Sequence, residues 1–177
     1  FAENGTVNTD FFGNWDSGRS VTVQSDGKIL VAGEAISNGE NVFALARYSS
    51  DGSLDSSFGQ NGRVITEVGL SARGNSVILQ SDSKILVAGE AFLGSDSDFA
   101  MVRYNNDGSL DTSFGSDGKV TTDFGAYDVG HSVTVQSDGM ILVAGIASDN
   151  GGVNFALLRY NSDGSLDNTF SPPENTL

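Results

Sequence analysis

The stretch Arg103-Tyr104-Asn105-Asn106-Asp107-Gly108-Ser109-Leu110-Asp111-Thr112-Ser113-Phe114-Gly115 decides the fold, because the chain contains it three times. The other copies occupy residues 47–59 and 159–170 with few changes. The copies keep a period of 56 residues, as the positions of Ser20, Ser76 and Ser132 show. A repeat of this kind is a supersecondary unit that cannot bury its apolar face alone, so neighbouring copies must stack to form a core.

Each repeat predicts four strands and no helix. In the middle copy a short β-branched segment at 62–68, here called the leading strand, precedes two apolar runs at 76–80 and 84–89. The turn between those runs predicts a hairpin, because the other copies have Asp-Gly there and glycine supplies the positive φ that such turns need. Ser83 takes the place of that glycine, so we expect slight strain at this turn. After a variable loop, the apolar segment 99–104 predicts the last strand.

The repeat length distinguishes between repeat architectures. It is too long for leucine-rich or ankyrin repeats and suits a four-stranded propeller blade of somewhat more than ~40 residues. We therefore predict an all-β fold, a β-propeller-type array of three four-stranded antiparallel blades that forms a single domain over residues 1–177. The repeats are placed at about 5–58, 62–114 and 118–170, followed by a tail at 171–177. The tail begins Ser-Pro-Pro where a glycine and another leading strand would follow, so we expect the array to stop there.

The repeated motif also carries a resemblance. The run from Gln24 to Gly33, followed by Phe-Ala-Leu-x-Arg-Tyr-x-x-Asp-Gly-Ser-Leu-Asp-x-x-Phe-Gly, resembles the delta-60 repeat family of bacterial surface and secreted proteins over essentially the whole chain. The layout is also similar to kelch blades. The departures are Ser83 and Met140, where the pattern has Gly and Lys. The resemblance implies a β-propeller-like repeat in an extracellular or cell-surface protein.

Three blades leave two radial faces uncovered, because closed propellers use about four to eight blades. The chain opens on a leading strand from Gly5 to Asp10 and closes on an Arg-Tyr strand with its turn, so the first strand of one chain could complete the last blade of a partner. We therefore prefer a homo-oligomer with head-to-tail blade pairing, a six-bladed ring of two chains. A fragment of a longer array and an open filament are the alternatives.

Charge and composition exclude several partners. The net charge of −14 opposes binding to nucleic acid or to an anionic membrane. No apolar run approaches the ~20 residues of a membrane span, so we expect no membrane insertion. The chain has no cysteine, which excludes disulfides and cysteine-ligated zinc.

The repeated turn suggests two kinds of site. The spacing Asn105-x-Asp107-Gly108-x-x-Asp111 is similar to a propeller calcium loop, Asp-x-Asn-x-Asp-Gly-x-x-Asp. An arginine holds the place of its first aspartate, and a fixed cation repels a metal but can pair bidentately with a turn aspartate. We therefore expect structural Arg–Asp pairs and no cofactor, with calcium at Asn105, Asp107 and Asp111 as the alternative. The residues of these turns are Arg47, Asp51, Asp55, Arg103, Asp107, Asp111, Arg159, Asp163 and Asp167.

Ligand binding is expected in the loops where the copies differ, at 12–19, 69–75 and 126–131 before the hairpin and at 37–42, 93–98 and 148–153 after it. Trp15, Tyr127 and His131 are the candidates there, since Trp15 could stack on a sugar or anchor a partner. The equivalents of His131 in the other copies are Arg19 and Asn75, so an exposed polar loop residue is its simpler interpretation. The acidic loop from Asp96 to Asp98 could attract cations, but we expect a solvated face.

These features favour a non-catalytic structural, adhesive or interaction module over an enzyme, with a protein or glycan partner. A carbohydrate-binding propeller is the first alternative, and a propeller hydrolase or lyase the second. An enzyme needs a non-repeated cluster of convergent polar groups, and the sequence indicates none.

Overall fold

The structure is a computed structural model that describes residues 1–2, 4–149 and 151–170. It contains three antiparallel sheets and no helix among those residues, as the all-β prediction requires. The first sheet contains β1 (Asp16–Val23), β2 (Ile29–Ser37), β3 (Glu40–Tyr48) and β4 (Arg63–Thr66). The second contains β5 (Ser71–Leu79), β6 (Ile85–Phe92), β7 (Ser97–Tyr104) and β8 (Lys119–Thr122). The third contains β9 (Asp128–Val135), β10 (Ile141–Asp149) and β11 (Gly152–Tyr160).

The sheets are offset from the sequence repeats by one strand. The leading strand before each hairpin belongs to the preceding sheet, so β4 pairs with β3 and β8 pairs with β7. Each four-stranded sheet therefore runs in chain order from β1 to β4 or from β5 to β8. The short strand follows the Asp-Gly turn, which reverses the chain and returns it along the outer edge of its own sheet.

The third sheet has three strands among the described residues, whereas four were predicted. Its fourth strand would correspond to β4 and β8 and would fall after residue 170. The predicted tail at 171–177 lies outside the described residues. Among the residues that are described, β11 pairs with β10 alone and its other edge has no partner strand.

The first strand of each hairpin is longer than predicted. β5 begins at Ser71, inside the segment 69–75 that was expected to be a loop. The reason is a β-bulge between Gly74 and Ser76, which breaks the alternating pattern without ending the strand. The bulge brings the Arg73 carbonyl against Gly89 on β6, where a Cβ atom would lie 1.8 Å from that oxygen. The glycine that closes each Ile-Leu-Val-Ala-Gly run is therefore required by packing rather than by φ.

Ser83, which takes the place of glycine in the middle hairpin turn, has the positive φ that the sequence predicted. Gly27 and Gly139 have φ of 84° and 87°, and Ser83 is held at 67° in the same left-handed region. A non-glycine residue there costs about 1–2 kcal/mol, because its Cβ crowds the following carbonyl oxygen.

The core lies between the sheets. The middle sheet is covered on both faces, so seven of the eight residues of β6 are buried. One apolar cluster joins the first and second sheets around Phe43, Leu45 and Val87, and a second joins the second and third sheets around Phe99, Met101 and Val143. The first strands of adjacent sheets lie side by side, with β5 in contact with both β1 and β9. Nothing in the described part of the chain forms a helix long and apolar enough to cross a membrane.

Candidate interaction surfaces

The repeated turn holds an arginine between a carboxylate and an aromatic ring. In the second sheet Arg103 Nε lies 2.7 Å from Asp111 Oδ2, and its guanidinium lies 4.3 Å from the centroid of the Phe114 ring. The same arrangement recurs at Arg47, Asp55 and Phe58, and at Arg159, Asp167 and Phe170. Burial raises the pKa of Asp111, but hydrogen bonds from Lys84, Ser113 and Arg103 outweigh it and hold that pKa well below its usual range.

The arginine pairs with the second aspartate of each turn and not with the first. Asp107 Oδ1 instead accepts hydrogen bonds from the hydroxyl and backbone N–H of Ser109, which lower the pKa of Asp107. The equivalent residues Asp51 and Asp163 make the same bonds with Ser53 and Ser165. The expected bidentate pairing is also wrong, because Arg103 donates to the carboxylate of Asp111 through Nε alone.

The remaining donors of these arginines join one sheet to the next. Arg47 Nη1 donates to the carbonyl of Asn106 at 2.5 Å, and Arg103 Nη1 donates to the carbonyl of Ser162 at 2.6 Å. Arg159, in the third sheet, makes no such bond within residues 1–2, 4–149 and 151–170. The repeated turn is thus a joint between blades, and in the third sheet Arg159 Nη1 has no carbonyl acceptor among the described residues.

Each side chain of the alternative calcium site, Asn105, Asp107 and Asp111, already makes hydrogen bonds within the protein. Asp111 Oδ2 accepts from both Arg103 Nε and Lys84 Nζ at 2.7 Å. Asn105 Nδ2 donates to Ser109 Oγ and to the carbonyl of Leu110. Two cations on one oxygen oppose a third, so these contacts describe a structural turn.

A chain of ion pairs crosses the first strands of the sheets, and the sequence analysis missed it. Arg19 Nη2 lies 2.5 Å from Glu34 Oε1, and Arg73 Nε lies 2.7 Å from the other oxygen of Glu34. Arg73 Nη1 also lies 3.1 Å from Glu90 Oε1. The charge of Glu90 acts on Tyr127 as well: together with burial, it raises the pKa of the Tyr127 hydroxyl. The signal was a glutamate directly after each apolar Ile-Leu-Val-Ala-Gly run in the first two copies.

The three candidate ligand residues do not form one site. Trp15 and Tyr127 occupy equivalent positions in the first and third repeats, directly before β1 and β9, and their side chains are 57% and 49% exposed. His131 is exposed and lies within β9, not in the loop where it was expected. Two exposed aromatic side chains are therefore presented by separate sheets.

The two outer sheet faces expose residues that are buried at equivalent positions elsewhere. Phe155 on β11 is fully exposed, whereas its equivalents Phe43 and Phe99 are 1% and 2% exposed. At the opposite end Val21 on β1 is 64% exposed, whereas its equivalent Val77 is 4% exposed. A groove of about 590 Å³ lies on that first face and is lined by Val21, Val31, Gly18 and Gly33, among others.

Comparison with known proteins gives the family. The description "domain of unknown function (DUF5122) beta-propeller" matches residues 24–58, 80–114 and 136–170, which together make up more than half of the chain. No curated protein matches the chain. Each of the three matched segments includes the second and third strands of one sheet and the Arg–Asp turn described above. With three matches at the period of its own sheets, the chain belongs to this family of β-propeller repeats.

Proposed function

We propose that the chain is a non-catalytic structural and interaction module that assembles head to tail with a second copy through its open blade faces. The observation that carries this proposal is Phe155, which is fully exposed at a position where Phe43 and Phe99 are buried between sheets. Burying one such side chain contributes about 1.5–3 kcal/mol. Large exposed apolar patches of this kind mark interaction sites.

The contacts of Phe43 and Phe99 inside the chain support this pairing. A side chain at Gly74 would meet the ring of Phe43, and one at Gly130 would meet the ring of Phe99, so each ring packs on a glycine of the next sheet. The equivalent glycine in the first repeat is Gly18, which lines the groove on the open first face. By equivalence, Phe155 of one copy would pack on Gly18 in the groove of a second copy.

The N-terminal segment supports the same pairing. Thr9 accepts a hydrogen bond from the Tyr48 hydroxyl at 2.8 Å, as Thr66 of β4 does from Tyr104 and Thr122 of β8 does from Tyr160. Residues 6–10 thus hold the position that the outer strand of a preceding blade would hold. Within residues 151–170 no such strand lies beside β11, so in the assembly residues 6–10 of one copy would complete the last sheet of the other.

The proposed arrangement also gives Arg159 Nη1 a hydrogen-bond acceptor. By equivalence with Asn106 and Ser162, the carbonyl of Ser50 would accept the unused Nη1 donor of Arg159 across the junction. Two chains would then form a ring of six blades, within the range of about four to eight that propellers use. The exposed strand edge and both apolar faces would be covered together.

The ion-paired glutamates on the inner strands favour binding or scaffolding over catalysis. Glu34 and Glu90 are buried beside Arg19 and Arg73, and an acid held by a fixed cation is a poor general acid or base at neutral pH. Because of the resemblance to delta-60 repeats, we place the module in a bacterial extracellular or cell-surface protein, with an adhesive or scaffolding role.

Engineered cysteines test the assembly, because the natural chain has none. In the second sheet Ala100 pairs with Thr121, so the equivalents Ala156 and Asn8 would face each other across the junction between two copies. A chain carrying Asn8→Cys and Ala156→Cys should form disulfide-linked dimers, since paired strands bring Cα atoms within the ~4.4–6.8 Å that a disulfide spans. The control carries Asn8→Cys and Ser132→Cys, because Ser132 is exposed on β9 at the far edge of the same sheet. Equal cross-linking in both variants, or none in either, would contradict the proposal.

Carbohydrate binding is a second candidate, favoured by the exposure of Trp15 and Tyr127 at equivalent positions. Aromatic faces of this kind stack on sugar rings. A glycan array probed with the natural chain and with Trp15→Ala tests it: a ligand that is lost in the variant supports this function, and identical arrays exclude Trp15 as the platform.

A further inference from the structure

Three aspartates meet at the junction between the second and third sheets. Asp98 lies in β7, Asp123 follows β8, and Asp128 is the first residue of β9. One carboxylate oxygen of each lies within 4.8 Å of the other two. The cluster is separate from the repeated Arg–Asp turns and from the open blade faces.

Asp98 differs from the solvated residue that its acidic loop predicted. It is only 3% exposed, and its Oδ1 atom is buried without a hydrogen-bond partner. Burial, together with the charges of Asp123, Asp96 and Asp128, raises the pKa of Asp98 to about 6. A buried carboxylate in this state is costly unless a positive charge compensates it.

The cluster is also the exception among the buried acids of the described residues. Asp98 and Asp128 have no Lys or Arg within ion-pair distance, although they are buried side by side. Every other buried acid has one, namely Glu34, Asp55, Glu90, Asp111 and Asp167. The missing positive charge is thus specific to this one place.

We infer that Asp98, Asp123 and Asp128 bind a calcium ion that joins the second and third sheets. Calcium takes oxygen ligands at about 2.3–2.6 Å, so two ligands on opposite sides of the ion are up to about 5 Å apart, which matches the spread of these oxygens. Magnesium needs shorter bonds in a stricter octahedron and fits less well. Water completes the coordination, because Asp123 is exposed.

The loop between Asp123 and Asp128 holds its carboxylates in place. Asp128 Oδ2 accepts a hydrogen bond from the Phe124 N–H at 2.7 Å, and its Oδ1 accepts one from the Ser148 N–H at 3.2 Å. Asp123 Oδ1 accepts one from the Gly125 N–H. The ion would therefore meet two carboxylates that are already oriented and one, Asp98, that has no other partner.

The first junction provides an internal comparison. The positions equivalent to Asp98, Asp123 and Asp128 are Val42, Glu67 and Ala72, so only one carboxylate is present there. Glu67 is exposed. A substitution of Glu67 therefore removes the same charge from an equivalent place without touching the cluster.

The test uses the full chain, freed of metal with a chelator, and calcium chloride as the only added ligand. Isothermal titration in about 0.15 M NaCl, where diffuse charge is screened, should give one calcium per chain for the natural protein and for Glu67→Gln. Asp98→Asn should lose that binding. Thermal unfolding should show calcium raising the Tm by about 5 °C or more at saturation in the first two proteins, and by no more than 1–2 °C in Asp98→Asn.

The stability of Asp98→Asn in chelator shows whether this variant folds. Asp98→Asn removes charge repulsion, so in chelator it should be at least as stable as the natural chain. The same calcium response in Asp98→Asn as in the natural protein would mean diffuse binding and would overturn the site. No binding to the natural protein at about 5 mM calcium, above the ~0.1–1 mM range of extracellular calcium modules, would do so as well.

Discussion

Replacing Arg103 with methionine tests whether the repeated turn joins neighbouring blades. Methionine keeps much of the apolar stem but removes the ion pair with Asp111, the contact with the Phe114 ring and the bond to the Ser162 carbonyl. Hydrogen bonds to charged groups contribute about 1.5–3 kcal/mol each, and a cation–π contact about 0.5–2. Asp111 keeps Lys84, so no carboxylate is stranded, and we expect the free energy of unfolding to fall by about 3 kcal/mol.

Arg159→Met is the matched control. Arg159 has the same carboxylate and ring contacts, but no carbonyl partner in the next blade among the described residues. Met140 stands where Lys84 stands in the second repeat, so Arg159→Met is made and compared in a Met140→Lys chain, where Asp167 keeps a cation as Asp111 keeps Lys84. An excess loss in Arg103→Met of about 1–2 kcal/mol therefore measures the bond to Ser162.

Both variants are made with Phe155→Asp, so that contacts between copies do not contribute. Urea unfolding followed by far-ultraviolet circular dichroism gives the midpoints, and an unchanged slope shows that the two-state comparison holds. An Arg159→Met loss equal to or larger than the Arg103→Met loss would refute the role of this turn as a joint.

Three further predictions concern the repeat itself. Gly89→Ala should cost more than about 3 kcal/mol or prevent folding, because a Cβ atom would lie 1.8 Å from the Arg73 carbonyl oxygen; denaturant unfolding with a soluble yield close to that of the natural chain would contradict this. Ser83→Gly should raise the stability by about 0.5–1 kcal/mol, because it relieves a left-handed serine at φ 67°, and an unchanged or lower midpoint in urea would show that the turn is not strained. Because the folded pKa of Asp111 lies below its usual value of 3.8, its ion pairs stabilise the fold above that pH and are lost as the pH falls further. Asp111→Asn should therefore be less stable than the natural chain near neutral pH and lose less stability between about pH 4 and pH 2, and parallel pH profiles would argue against the pairing.

The repeat and the strands from β1 to β11 could be predicted from the sequence, because a period of 56 residues and three Ile-Leu-Val-Ala-Gly runs are strong signals. The leading strand expected from Gly5 to Asp10 was wrong, since residues 5–10 form no strand in a single chain. The offset between repeats and sheets could not be predicted. In a tandem array any starting point gives the same period, and the pairing of β4 with β3 depends on how the Asp-Gly turn reverses the chain. The strand extension through residues 71–75 was hidden for a related reason, since the bulge at Gly74 breaks the alternation that marks a strand.

The candidate sites show a similar limit. The turn arginine and its aspartates were identified, but each turn has two aspartates four residues apart, and the sequence does not tell which of them pairs with the arginine. The backbone decides between them, because Asp107 is occupied by Ser109 while Asp111 lies beside the guanidinium. Asp98 follows a polar loop and looked solvated, and its burial arises from the third sheet, whose contact with β7 no local pattern indicates.

The most direct test of the proposed assembly is the mass of the chain in solution, measured by light scattering coupled to size exclusion. We expect about twice the 18.4 kDa of one chain for the natural protein, and the mass of a single chain for Phe155→Asp, whose charge opposes burial in the groove. A natural protein that elutes at 18.4 kDa, or a Phe155→Asp variant that keeps the doubled mass, would contradict the pairing of open blade faces.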